Sequence, residues 1–178
     1  MIAFKKISLN YNKQIIDETC RGNFLNEYGK IRYYKLAKTY QIFKPTLILR
    51  SKPDSVTWTE VTSAANLPHK DFNIKTNLNI YVDPAEGETR FYHIKKNAIP
   101  YSPDKEKFFP NLYHHCDLEL LDTFLPNKFD AYLLNVSMVH EVFGVKDTNR
   151  KIIQFSWRNK SIEEISSVIE ELFDQSNC

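Results

Sequence analysis

Apolar and polar side chains alternate strictly over NLNIYVD, residues 77–83, so that Leu78, Ile80 and Val82 face one way and Asn77, Asn79, Tyr81 and Asp83 the other. That is the two-residue period of a β-strand. Other short runs rich in β-branched and aromatic residues predict further strands: KIRYYKLAKT, IFKPTLILR, ETRFYHIKK, LELLDTFL, DAYLLNVSMVHEV and KIIQFSW. The turn signals SKPD, DPAEG, LPNK and KDTN lie between them, which is the pattern of an antiparallel sandwich or barrel. Two stretches read as helices. In NKQIIDETCRGNFLNE, Ile16, Cys20 and Phe24 recur every fourth residue. In NKSIEEISSVIEELF, Ser161 and Glu164 form a capping box ahead of a stripe of Ile162, Ile165, Val168, Ile169 and Leu172, so this helix is expected on the outside of a sheet. The segment 97–113, with Pro100, Pro103 and Pro110, has neither period. With Tyr101, Phe108, Phe109 and Tyr113 it reads as a lid or binding loop over something partly apolar.

Composition narrows the classes. A chain of 178 residues suits one domain with a real core, spanning 1–178. The 24 basic and 22 acidic residues leave a formal charge of +2, which gives no field to gather nucleic acid or a membrane surface. Aromatic residues make up 13% of the chain, favouring strands and an aromatic-lined cavity. Cys20, Cys116 and Cys178 are scattered and odd in number, so neither a disulfide framework nor a zinc knuckle is expected. No segment approaches about 18 uninterrupted apolar residues, and a cytoplasmic protein is the expectation. The charge pattern does not address oligomeric state.

The side chains able to do chemistry include two H-x-D pairs, His69 with Asp71 and His115 with Asp117. Side chains two apart at a strand end point the same way, so each pair can present an imidazole and a carboxylate to one cation. His140 offers a third ligand, and Arg150 follows ten positions later. Two imidazoles and one carboxylate match the facial triad of non-haem iron enzymes; zinc less usually adopts that set with open positions. Singly, each residue has a plainer reading, since a histidine on an apolar strand is more often a core or surface residue than a ligand.

In this order and spacing, the chain resembles the Fe(II)- and 2-oxoglutarate-dependent oxygenases, in particular small prolyl-hydroxylase-like members, over roughly residues 57–158. The strings that carry the likeness are H-x-D, LNIYVD, GETRFY and VHEVFG, followed by Arg150. The family's fold needs several strands between the two halves of its site. The gap from Asp71 to His140 leaves room for four strands of about five residues, while the gap from Asp117 leaves room for about two, so His69 and Asp71 are the better pair. The resemblance implies a mainly β, double-stranded β-helix of jelly-roll or cupin-like type, with flanking N- and C-terminal helices. It implies Fe(II) held by His69, Asp71 and His140, and 2-oxoglutarate anchored through its distal carboxylate by Arg150 and Tyr81. The family's common R-x-S pattern is broken, because Ile152 stands where Ser would be. Gln154 and Ser156 share Arg150's face and are the candidates for the missing donor. The expected activity is hydroxylation of an amino acid, a peptidyl side chain or a small metabolite. A jelly-roll or cupin-like binding protein without turnover is the alternative. His93, His114, His115 and Cys116 receive no role.

Overall fold

The computed structural model describes residues 2–9, 16, 20–28, 31–36, 51–61, 67–101, 111–144 and 149–174. Among these residues, ten strands and one α-helix follow in chain order: β1 Phe4–Ile7, β2 Arg21–Tyr28, β3 Ile31–Leu36, β4 Ser55–Val61, β5 Thr76–Asp83, β6 Glu88–Ile94, β7 Leu118–Phe124, β8 Ala131–Asn135, β9 Val139–Phe143, β10 Arg150–Trp157 and α1 Ile162–Asp174. Strands expected from alternation or β-branched content therefore form at β3, β5, β6, β7 and β10. The run expected over IFKPTLILR and the centre of the 97–113 segment, Phe108 and Phe109 included, lie outside the described residues.

The strands make two antiparallel sheets. One has seven strands in the order β1-β8-β5-β10-β4-β3-β2, the other three in the order β7-β6-β9. From β5 onward the chain crosses repeatedly between them. One crossing corrects the sequence reading: DAYLLNVSMVHEV is not one strand but two, split by a turn in which the Met138 N–H donates to the Asn135 carbonyl at 3.1 Å. β8 stays in the large sheet and β9 enters the small one, carrying His140 with it.

Each face of the large sheet has its own partner. Leu78, Ile80, Leu133, Ile153, Phe155 and Trp157 form one buried cluster with Ile162, Ile165 and Ile169 of α1. The helix starts on the expected capping box: the Ser161 N–H donates to Glu164 Oε2 at 2.6 Å, and the Glu164 N–H donates to Ser161 Oγ at 3.2 Å. On the other face Tyr81, Tyr132, Leu134 and Ile152 pack with Phe91 and Phe124 of the small sheet, so the two sheets form a sandwich. The polar side of β5 is thus not a wet surface. Asn77, Asn79 and Tyr81 are all buried between the sheets.

The expected N-terminal helix is corrected from Arg21 onward. Ile16 and Cys20 are buried in the core cluster, but Phe24 lies in β2 with its side chain exposed. The pairing of β2 with β3 shifts register twice, between Arg21 and Phe24 and again between Phe24 and Asn26. Such irregularities insert unpaired residues and erase the two-residue period that would have marked a strand.

Candidate metal centre

His69 and His140 face one another because their backbones pair. The His69 N–H donates to the His140 carbonyl and the His140 N–H to the His69 carbonyl, each at 2.9 Å. Residues that exchange both bonds across an antiparallel pair put their side chains on the same face. The two rings accordingly lie 4.5 Å apart between centroids. Asp71, two residues on, is tied by its N–H to the Val136 carbonyl at 3.0 Å. Its Oδ1 stands 3.4 Å from His69 Nε2 and 3.6 Å from His140 Nε2. The three residues offer ligand atoms that all lie within 4.8 Å of one another.

The partners of the other ring nitrogens set the tautomers. His69 Nδ1 sits 2.8 Å from the Leu67 carbonyl, and His140 Nδ1 sits 3.0 Å from the Met138 carbonyl. A carbonyl oxygen only accepts, so in each neutral ring Nδ1 carries the hydrogen and donates, and Nε2 keeps its lone pair. With both rings neutral, two lone-pair nitrogens and a carboxylate oxygen converge on one point. This is the outer-shell arrangement that orients metal-binding histidines. The ring of Phe91 packs against His140 at 5.8 Å and helps fix it.

Burial and charge act against each other here. Burial lowers the His140 pKa to about 4, aided by repulsion from His69. At His69 burial also pulls downward, but the hydrogen bond and charge of Asp71 outweigh it and leave the pKa above the usual imidazole value. Burial pushes the Asp71 carboxyl upward, and the two histidines with Asn77 overcome that to hold it below the usual range. Near neutral pH the group thus offers an ionised carboxylate and at least one neutral imidazole.

The same cavity is lined by Tyr81, Thr89, Arg150 and Gln154. The Arg150 side chain is fully buried. Its Nε donates to the Pro84 carbonyl at 2.9 Å and its Nη1 to Thr89 Oγ1 at 3.0 Å, while Nη2 donates to the Gly87 carbonyl. Its guanidinium carbon lies 5.5 Å from the centre of the Tyr81 ring. Burial lowers its pKa, with Tyr81 acting the other way, yet a guanidinium stays charged. Among the described residues no carboxylate pairs with it, and buried charges ordinarily have a counter-charge. Gly87 has φ 137°, a backbone conformation open to glycine, and this turn aims its carbonyl at Arg150.

Of the sequence candidates, His69, Asp71, His140, Arg150, Tyr81 and Gln154 come together around one cavity. Ser156 does not join them: it is buried farther along β10, opposite Asn77 and Ser55. His115, half of the rejected H-x-D pair, lies in a short 3-10 turn, and its Nε2 is 3.0 Å from Glu141 Oε2. Glu141 is buried and also accepts from the Tyr92 hydroxyl. His114 stacks on Tyr101 at 4.2 Å. Sequence reasoning gave no role to Thr89 or Asn77. Thr89 alternates with Phe91 along β6, so the two-residue period was the available signal for its inward position.

No protein-family model matches the chain, and no curated protein matches it. Among the described residues, no helix is long and apolar enough to cross a membrane.

Proposed function

We propose that the protein is an Fe(II)- and 2-oxoglutarate-dependent dioxygenase that hydroxylates an unactivated C–H bond of an amino acid, a peptidyl side chain or a small metabolite. The observation that carries this reading is the convergence of His69 Nε2, His140 Nε2 and Asp71 Oδ1 in a cavity that also holds a buried guanidinium with no carboxylate partner among the described residues. Two imidazole nitrogens and one carboxylate oxygen, with room left on one side, suit non-haem Fe(II). The order β4-β10-β5-β8 within one sheet, facing β7-β6-β9 in the other, supports a double-stranded β-helix. The His69–His140 bridge extends the smaller sheet by one more segment.

When bound, the ion and the keto acid would supply oxidising chemistry in which 2-oxoglutarate loses CO2 and takes one oxygen atom of dioxygen to become succinate, and the other oxygen atom enters the substrate C–H bond. The chain's own residues bind and orient. His69 and His140 turn Nε2 toward the ion because in each neutral ring Nδ1 carries the hydrogen and donates to a carbonyl, and a bound cation displaces any proton that Asp71 holds on His69. Arg150 grips the distal carboxylate through its remaining N–H groups, a charge-assisted contact strengthened by burial. Tyr81 stands beside it as a second donor. Thr89, whose oxygen already accepts from Arg150, has its own proton to give, and it fills the place left open by the absent R-x-S serine better than Ser156. Ile152, Val136 and Leu134 keep the cavity wall apolar between these groups.

Anaerobic titration of the protein with Fe(II) and then 2-oxoglutarate tests the reading. A metal-to-ligand absorption band should appear, be absent in His140→Ala, and be followed by succinate release when air is admitted. No band and no succinate from the intact protein would favour a jelly-roll binding protein without turnover.

A further inference from the structure

Asn77 occupies a position beside the ligand set that the ligands alone do not explain. Its Nδ2 donates to Asp71 Oδ2 at 3.1 Å, the carboxylate oxygen turned away from the two histidines. The amide cannot sit the other way round, because a carbonyl oxygen would then face a carboxylate oxygen and both only accept. Asn77 Oδ1 is therefore fixed as well. It is buried and has no hydrogen-bond partner among the described residues, in a residue only 2% exposed that lines the cavity. Folded proteins leave few such atoms unpaired, and those that remain commonly mark a missing water or ion.

We infer that Asn77 is a positioning residue for the metal, resting on the reading of the site above. By occupying Asp71 Oδ2 it holds the carboxylate to single-oxygen ligation through Oδ1, and its own carbonyl oxygen accepts a hydrogen bond from a water carried by the cation. One amide thus keeps a coordination position from being closed by the second carboxylate oxygen and also orients the water that fills it. Asn79, two residues along the same face, has an Oδ1 that is likewise buried and unpartnered among the described residues, but it is Asn77 and not Asn79 that donates to Asp71, which makes Asn79 the comparison for the loss of a cavity amide alone.

Mn(II) titration followed by solvent-water proton relaxation reads both the dissociation constant and the water held on the ion. Asn77→Ala and the volume-keeping Asn77→Leu should weaken Mn(II) roughly 10–100-fold, as expected for an outer-shell partner. Both should lower the relaxation enhancement per bound ion, with thermal melting used to confirm that they fold. Asn79→Ala should change the dissociation constant by less than either. If the intact protein binds Mn(II) and both Asn77 variants match it in affinity and relaxation, the inference is wrong while the metal reading stands. If the intact protein binds no divalent ion, both are wrong.

Discussion

Removing the guanidinium of Arg150 would strand three acceptors at once, the Pro84 and Gly87 carbonyls and Thr89 Oγ1. Thr89 is buried and the two carbonyls only partly so; leaving one buried polar group without a partner costs about 1–3 kcal/mol, and Arg150→Met should lower the stability measured by urea unfolding by at least that amount. The same variant should weaken 2-oxoglutarate roughly 10–100-fold, the effect of losing one charge-assisted contact. Arg150→Lys should recover little of either, because a single ammonium cannot reach acceptors spread around a planar fork. Unchanged keto-acid affinity in both variants would mean that the buried guanidinium is purely structural. The grouping of His69, Asp71 and His140 was legible in the sequence because H-x-D is local and His140 lies on a strand of recognisable type. The setting of Arg150 was not legible. Two of its acceptors are main-chain carbonyls in the Pro84–Gly87 turn, and the third comes from the opposite sheet, so no side-chain motif records them.

At the level of elements, α1 is the clearest case of sequence and structure agreeing, since both the capping box and the apolar stripe are encoded within one or two turns. Ser161→Ala removes the side-chain half of that box and should cost about 1 kcal/mol in thermal or denaturant unfolding. A cost near zero would mean that packing on Ile162, Ile165 and Ile169 alone sets the start of the helix. β5 was equally readable, although its alternation could not say whether the polar face met water or a second sheet. That depends on what β6 and β9 do elsewhere in the chain. β2 and the break between β8 and β9 were hidden for different reasons. The register shifts of β2 leave Ile16, Cys20 and Phe24 with a helix-like spacing, and the turn at residues 136–138 interrupts a run whose composition stays strand-like throughout.

Across the whole molecule, several carboxylates are tied down in the folded state. Thr123 and Arg90 hold the Glu88 carboxyl below its usual range. Asp130 is lowered because Lys6 and the Asn127 backbone overcome its burial, and the Ser161 backbone lowers Glu164. Each is more acidic folded than free, so the unfolded chain takes up protons first as the pH falls. Their stabilisation is fully present above about pH 4.5 and is lost as the pH drops through the folded values. Melting temperature should therefore decline below about pH 4, modestly because these carboxylates are at least partly exposed to solvent, and a flat profile down to pH 2 would contradict these assignments.

The wider architecture serves one placement. Backbone pairing sets His69 against His140, the β8–β9 turn anchors Asp71, and the large sheet brings Arg150 to the same cavity. X-ray absorption fine structure at the iron edge, recorded on protein loaded anaerobically with Fe(II), tests this most directly. Two imidazoles are expected among the nearest neighbours of the ion, falling to one in His140→Ala. A nearest shell of oxygen alone, the same in both proteins, would contradict it.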